Sequence, residues 1–186
     1  MAGDSVVRSY ASALFDLAVR DGREDEYGEA LAFTASLVKD LPAFRVFLET
    51  PRIPAVEKKK VIRTALDALP APVVNFLLLV VDKRRQRLIG DMAIAYRDLL
   101  DRERGRVRVE VEVAHPLDEE AAFEVRERLS SFFGKEAVPE VHVAPDLIGG
   151  IVFRRGDTVF DGSIRRRLRG LRKELLAVDV SHEEED

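Results

Sequence analysis

The sequence predicts an α+β protein in two parts: a six-helix bundle over residues 1–105, then a small α/β domain over residues 106–178. Apolar residues recur at helical spacing between proline and glycine breaks as far as Arg104. At Gly105 the period changes to two. The chain has 186 residues, 46% of them hydrophobic, which is enough for two small cores. It has no cysteine, so those cores hold it together without disulfides or thiolate metal sites.

The first helix is expected from Asp4 to Arg20, capped by Asp4 or Ser5 and stopped by Gly22. Placed at 100° steps, Val6, Val7, Tyr10, Ala11, Ala13, Leu14, Phe15, Leu17 and Ala18 fill roughly 200° of arc. That is wider than one core requires. A second helix runs from Glu24 to Lys39, with Tyr27, Leu31, Phe33 and Val38 apolar, and Pro42 limits it. A short helix carries Phe44, Phe47 and Leu48, and Pro51 and Pro54 bracket a break. The fourth helix is placed at Ala55–Leu69, with Val56, Val61, Ile62, Ala65, Leu66 and Leu69 apolar; its run Lys58-Lys59-Lys60 reads as a solvated face. Pro70 and Pro72 open a fifth helix in which Val73 to Val81 is apolar on every side except at Asn75, the pattern of a buried helix. The sixth runs from Arg87 to Arg104.

Beyond Gly105, Val107, Val109, Val111 and Val113 alternate with charged residues as a half-buried strand. A helix follows Pro116, its first turn acidic at Asp118-Glu119-Glu120 and its core side Val125, Leu129, Phe132 and Phe133, with Gly134 as the stop. Val141 and Val143 mark a second strand. Ile151–Phe153 and Thr158–Phe160 flank Gly156-Asp157 as a hairpin. The last helix starts at Asp161-Gly162-Ser163 and aligns Ile164, Leu168, Leu171 and Leu175. Residues 179–186 read as an acidic, disordered tail.

Charge and motif spacing exclude several classes. Net charge is −4, which disfavours a nucleic-acid binder. The first 105 residues balance at +1 and the remainder at −5. The longest apolar stretch, Val73 to Val81, is nine residues and contains Asn75, and a membrane span needs roughly 20. His115, His142 and His182 lack metal-ligand spacing, so neither metal nor cofactor is expected. Ser163 lacks the elbow of a hydrolase nucleophile, and Gly149-Gly150 leads into a strand where a phosphate loop leads into a helix. No catalytic residue is assigned. Arg165, Arg166, Arg167, Arg169 and Arg172 form a basic cluster that suits a solvated face or an acidic protein partner. The alternative is a nucleic-acid-associated regulator using that final helix, though no aromatic platform accompanies it. Surplus apolar surface on the first and fifth helices points to an interaction protein.

Two stretches carry a resemblance. One is Tyr10-Ala11-Ser12-Ala13-Leu14-Phe15-Asp16-Leu17-Ala18. The other is Pro145-Asp146-Leu147-Ile148-Gly149-Gly150-Ile151-Val152-Phe153, then Gly156-Asp157, then Val159-Phe160-Asp161-Gly162-Ser163-Ile164-Arg165 and Leu168. Between them, Phe47-Leu48, Pro51-Arg52-Ile53-Pro54, Asn75-Phe76-Leu77 and Arg84-Arg85 agree. The chain resembles the delta subunit family of the F-type ATP synthase, counterpart of the mitochondrial oligomycin-sensitivity-conferral protein, to about Leu176. The resemblance implies a non-catalytic peripheral-stalk subunit, a stator that keeps the catalytic head from turning with the rotor. It implies that residues 1–105 bind N-terminal segments of the alpha subunits, and that residues 106–178 meet the C-termini of the b subunits. Contact with the membrane is then only through the complex, and the isolated chain is a monomer. No transit segment precedes the first helix, so the expected place is the cytoplasmic face of a bacterial plasma membrane.

The family uses its first and fifth helices for the alpha segment. Polar hints then select the outward flank: Val6, Tyr10, Ala13 and Leu17 on the first helix, Asn75 and Leu79 on the fifth. Ala11, Leu14, Phe15 and Ala18 are assigned to the core. For Asn75, an internal hydrogen bond and a bond to the partner both stand. Arg165, Arg166 and Arg169 are the residues assigned to the b subunits.

Overall fold

The computed structural model describes the backbone of residues 2–156 and 158–180, and side chains of residues 4–156 and 158–172. It is an α+β protein of eight α-helices and one mixed four-stranded sheet among the described residues. The chain divides into two compact units, Met1–Arg104 and Gly105–Asp186.

The first unit contains α1 (Ala2–Asp21), α2 (Glu24–Asp40), α3 (Pro42–Glu49), α4 (Ala55–Ala65), α5 (Ala71–Asp82), a 3-10 turn at Gln86–Leu88 and α6 (Ile89–Glu103). α1 starts two residues earlier than expected. Asp4 and Ser5 therefore do not cap it but lie inside its first turn, where Asp4 pairs with Arg8 at 3.1 Å. α4 ends at Ala65, short of Leu69: Leu69 precedes Pro70, which disfavours helical torsions there, and Leu66 leaves the helix to bury its side chain. The first turn of the expected sixth helix is the 3-10 turn.

The core of this unit is built around Tyr27 and Tyr96, both fully buried. Each phenol reaches the edge of the core: Tyr27 Oη donates to Asp21 at 2.6 Å, and Tyr96 Oη to the Glu24 carbonyl at 2.8 Å. Phe15 meets Tyr96 edge-on at 5.4 Å. Ala11, Leu14, Phe15 and Ala18 of α1 are all buried against this core. Phe33, Val56 and Val61, apolar at helical spacing in the sequence, face outward.

The lysine run is not a uniform solvated face. Lys58 is 4% exposed, and its ammonium donates to the Leu48 carbonyl at 2.7 Å and the Thr50 carbonyl at 2.8 Å. These groups lie at the end of α3, where carbonyls lack partners within the helix. Gln86 Nε2 donates to the same Leu48 carbonyl at 2.9 Å. Lys59 pairs with Asp82 at 2.7 Å, and Lys60 alone of the three is exposed. Two helices end in the same hydrogen-bond pattern. In α1 the Arg23 amide reaches the Ala18 carbonyl and the Gly22 amide the Val19 carbonyl; in α5 Arg85 reaches Val80 and Arg84 reaches Val81. The left-handed residue is Gly22 in the first (φ 63°) and Arg84 in the second (φ 55°). A side chain in that region costs about 1–2 kcal/mol.

The second unit contains β1 (Arg106–Val113), α7 (Glu119–Phe133), β2 (Glu136–Val143), β3 (Ile151–Arg155), β4 (Thr158–Asp161) and α8 (Ile164–Val180). Strand order is β2-β1-β3-β4, with β1 and β2 parallel and the other pairs antiparallel. Val107, Val109, Val111 and Val113 are buried with Val125 and Leu129 of α7. Asp118 caps α7 by accepting from the Ala121 amide at 2.8 Å, and Gly134 ends it at φ 63°. Phe132, assigned to the core, is 59% exposed; it rests edge-on against Phe133, Phe153 and Phe160 instead. The outermost strand β2 carries Pro139, and the opposite edge strand β4 has four residues. Residues 179 and 180, assigned to the tail, belong to α8; residues 181–186 and the Leu175 side chain lie outside the described residues.

Two outcomes follow from this packing. Leu14→Ala leaves a cavity at a site 2% exposed and is expected to lower stability by about 2–5 kcal/mol in denaturant titration. Lys58→Met strips the Thr50 carbonyl of its buried donor, and chemical unfolding should show a loss of about 1–3 kcal/mol.

Candidate partner-binding faces

Helical periodicity places the outward flank of α1. With Ala11, Leu14, Phe15 and Ala18 inward, Val6, Tyr10 and Leu17 fall half-buried along one edge and Ala13 is exposed beside them. Tyr10 leans on Phe76 of α5 with ring centroids 6.1 Å apart, and the Arg85 guanidinium lies 5.0 Å above the Tyr10 ring. The structure thus joins the α1 flank to α5 through Tyr10 and Phe76. α5 is not buried on every side as its apolar run predicts: Asn75 is exposed, and Leu79, one turn on, is 47% exposed. Asn75 and Leu79 share one strip of α5, next to the side that carries Phe76. A helix backed by a complete core still offers apolar surface along this seam.

The other face is α8. Its first turn is fixed by backbone contacts in which glycine is obligatory. The Gly162 amide donates to the Ile151 carbonyl at 2.9 Å, and the Ile164 amide to the Gly149 carbonyl at 3.0 Å. A Cβ on Gly150 would lie 2.5 Å from the Gly162 carbonyl oxygen, and Gly150 has φ 82°. Ser163, buried, is the N-cap, its hydroxyl accepting from the Arg166 amide at 3.2 Å. Asp161 acts one step earlier, its carboxylate accepting from the Ser163 amide at 3.0 Å. Hydrogen bonds from the Ser163 hydroxyl and amide hold the Asp161 carboxyl below the usual carboxylate range, with Arg166 and Arg169 adding to the effect.

Beyond that start, α8 shows a stripe of uncovered apolar residues: Ile164, Leu168 and Leu171, at 42%, 52% and 55% exposure. Arg165, Arg167 and Arg172 flank the stripe, while Arg166 and Arg169 lie further round the helix. Arg165 is also tied back to the Asp146 carbonyl. The apolar stripe is the part of this face that the arginine pattern alone did not single out; the i, i+4, i+7 spacing carried the signal. Among the described residues no group of three or more His, Asp or Glu side chains converges to hold a metal ion, and no helix is long and apolar enough to cross a membrane.

Uncovered apolar helix faces of this kind are the surfaces of the interaction-protein class. The relatives make the class specific. The profile of the ATP synthase delta (OSCP) subunit family matches residues 6–175, and the chain belongs to that family. It is 38% identical over 178 residues to the ATP synthase subunit delta of Symbiobacterium thermophilum, covering 95% of this chain and 96% of that one. It is 41% identical over 174 residues to the subunit delta of Gemmatimonas aurantiaca, covering 93% and 94%. In fold it is similar to a chain in the cryo-EM structure of the Toxoplasma gondii mitochondrial ATP synthase hexamer, with TM-score 0.70 and 24% identity, covering 91% of this chain and 97% of that one. The nucleic-acid alternative has no counterpart among these relatives.

Because the folded Asp161 carboxyl is held low, its stabilising effect is present above the unfolded value of about 3.9 and is lost as pH falls through the folded value. Asp161→Asn is therefore expected to melt lower than wild type at pH 7, and the difference should shrink as pH drops below about 4 in thermal scans.

Proposed function

We propose that this chain is a peripheral-stalk subunit of an F-type ATP synthase, joining the top of the catalytic head to the b subunits so that the head does not turn with the rotor. The family match over residues 6–175 carries this reading. The subunit performs no chemistry itself. It sits with the complex at the cytoplasmic face of a bacterial plasma membrane and touches the membrane only through its partners.

The first unit acts as a six-helix bundle that takes an alpha-subunit N-terminal segment. An amphipathic helix lies along the seam of α1 and α5, over Val6, Tyr10, Ala13, Leu17 and Leu79, with Asn75 hydrogen-bonding to it. The exposure of Asn75 and Leu79 and the small side chain of Ala13 support this placement. The second unit takes the b subunits through α8. Its apolar stripe seats a partner helix, and Arg165 beside the stripe, with Arg166 and Arg169 further round the helix, supplies positive charge to the b subunits.

Co-purification tests the assignment. A tagged full chain should bring down alpha and b subunits, and deleting residues 1–104 or 105–186 should lose them separately. Recovery of neither subunit sinks the reading. Leu79→Ala is expected to weaken binding of an alpha N-terminal peptide by about 1–3 kcal/mol in calorimetric titration, with little change in melting, since Leu79 lies outside the core cluster.

A further inference from the structure

Left-handed backbone torsions occur among the described residues at Gly22, Gly105, Gly134, Gly150 and Gly156, and at one residue that is not glycine, Arg84. α1 and α5 end in the same hydrogen-bond pattern, yet α5 holds an arginine where α1 holds glycine. A strained position of this kind is a pointer to function, because the side chain is what glycine could not supply. Nothing among the described residues of the unit uses it. Arg85 lies over Tyr10 and Arg87 pairs with Glu49 at 3.2 Å, but the exposed Arg84 guanidinium makes no hydrogen bond or ion pair among the described residues.

Arg84 lines a cavity of about 400 Å³, formed where the Pro51–Pro54 break meets the end of α5. Pro51, Ile53 and Val81 supply its apolar walls, and the buried Lys58 is another wall. The hydrogen-bond partners of Lys58 are two neutral carbonyls, so its charge stays uncompensated by them. The one carboxylate in the lining, Glu49, is engaged by Arg87. The cavity is therefore cationic with apolar walls. It adjoins the α1–α5 seam through consecutive residues, Arg85 facing the seam and Arg84 the cavity.

We propose that Arg84 and this cavity form a recognition site for a carboxylate on an acidic segment of the ATP synthase head. The guanidinium takes an Asp or Glu side chain, and an apolar neighbour of that residue seats against Pro51, Ile53 and Val81. The apolar walls favour a carboxylate carried by a peptide over a free inorganic anion. This rests on the reading that the chain docks on the head, and adds a second contact point beyond the α1–α5 seam.

The probe is purified ATP synthase head stripped of this subunit, titrated with the full chain. Arg84→Gly and Arg84→Asn both accept left-handed torsions. Arg84→Gly should melt roughly 2–6 °C higher than wild type. Both variants should bind the head about tenfold more weakly, with a shallower dependence on salt, and Arg84→Lys should retain part of the affinity. Higher melting with unchanged affinity overturns the proposal and leaves the stalk reading intact. Lower melting together with weaker binding also overturns it, because Arg84 then serves the fold. A wild-type chain that does not bind the head overturns both.

Discussion

The inward stripe of α1 is the constraint from which the first unit's outward surface follows. Ala11 and Ala18 are fully buried and small, so the helix approaches its neighbours closely, while Leu14 and Phe15 fill the space between. At 3.6 residues per turn, fixing those four positions fixes the rest. Val6, Tyr10, Ala13 and Leu17 have no freedom to turn inward, and their apolar surface stays at the rim. Tyr10 and Leu17 close over the edge of the core from that rim, half-buried. The inward four fill the core, while these two rim residues pack on it with one side and keep the other uncovered.

The second unit reaches the same end by a different device. Its sheet and α7 form one core, and α8 is launched from it by backbone contacts around Gly149, Gly150 and Gly162. The described side chains of α8 contribute little to that core, as the exposure of Leu168 and Leu171 shows. The glycines set where the helix begins, Ser163 and Asp161 close its first turn, and the apolar stripe is left open.

Periodicity made the order of elements legible, because the change at Gly105 is a change of backbone geometry and the valines of β1 alternate with charged residues from there. It also oriented α1, where charged and apolar positions separate cleanly. It failed where tertiary partners decide. The Lys58 carbon stem reads like that of Lys59 or Lys60; only the carbonyls at the end of α3 distinguish it, and they lie eight and ten residues away in sequence. Phe132 looks like a core residue by spacing, but it closes an aromatic cluster at the surface, formed with strands 20 and more residues later. α4 stops early because the chain must turn before Pro70, which spacing alone does not weigh. Nor does sequence alone reveal that Arg84 occupies a glycine's torsions, since Lys83-Arg84-Arg85 reads as an ordinary charged stretch.

The edges of the sheet bear on how such a protein coexists with copies of itself. A strand at an open edge is a template for pairing with any other chain. Here β2 interrupts its row of donors with Pro139, and β4 is only four residues long. Neither edge supports a long backbone ladder to a second molecule. Apolar helix faces can therefore stay uncovered until a partner arrives without the sheets of neighbouring molecules joining into a larger, self-propagating array.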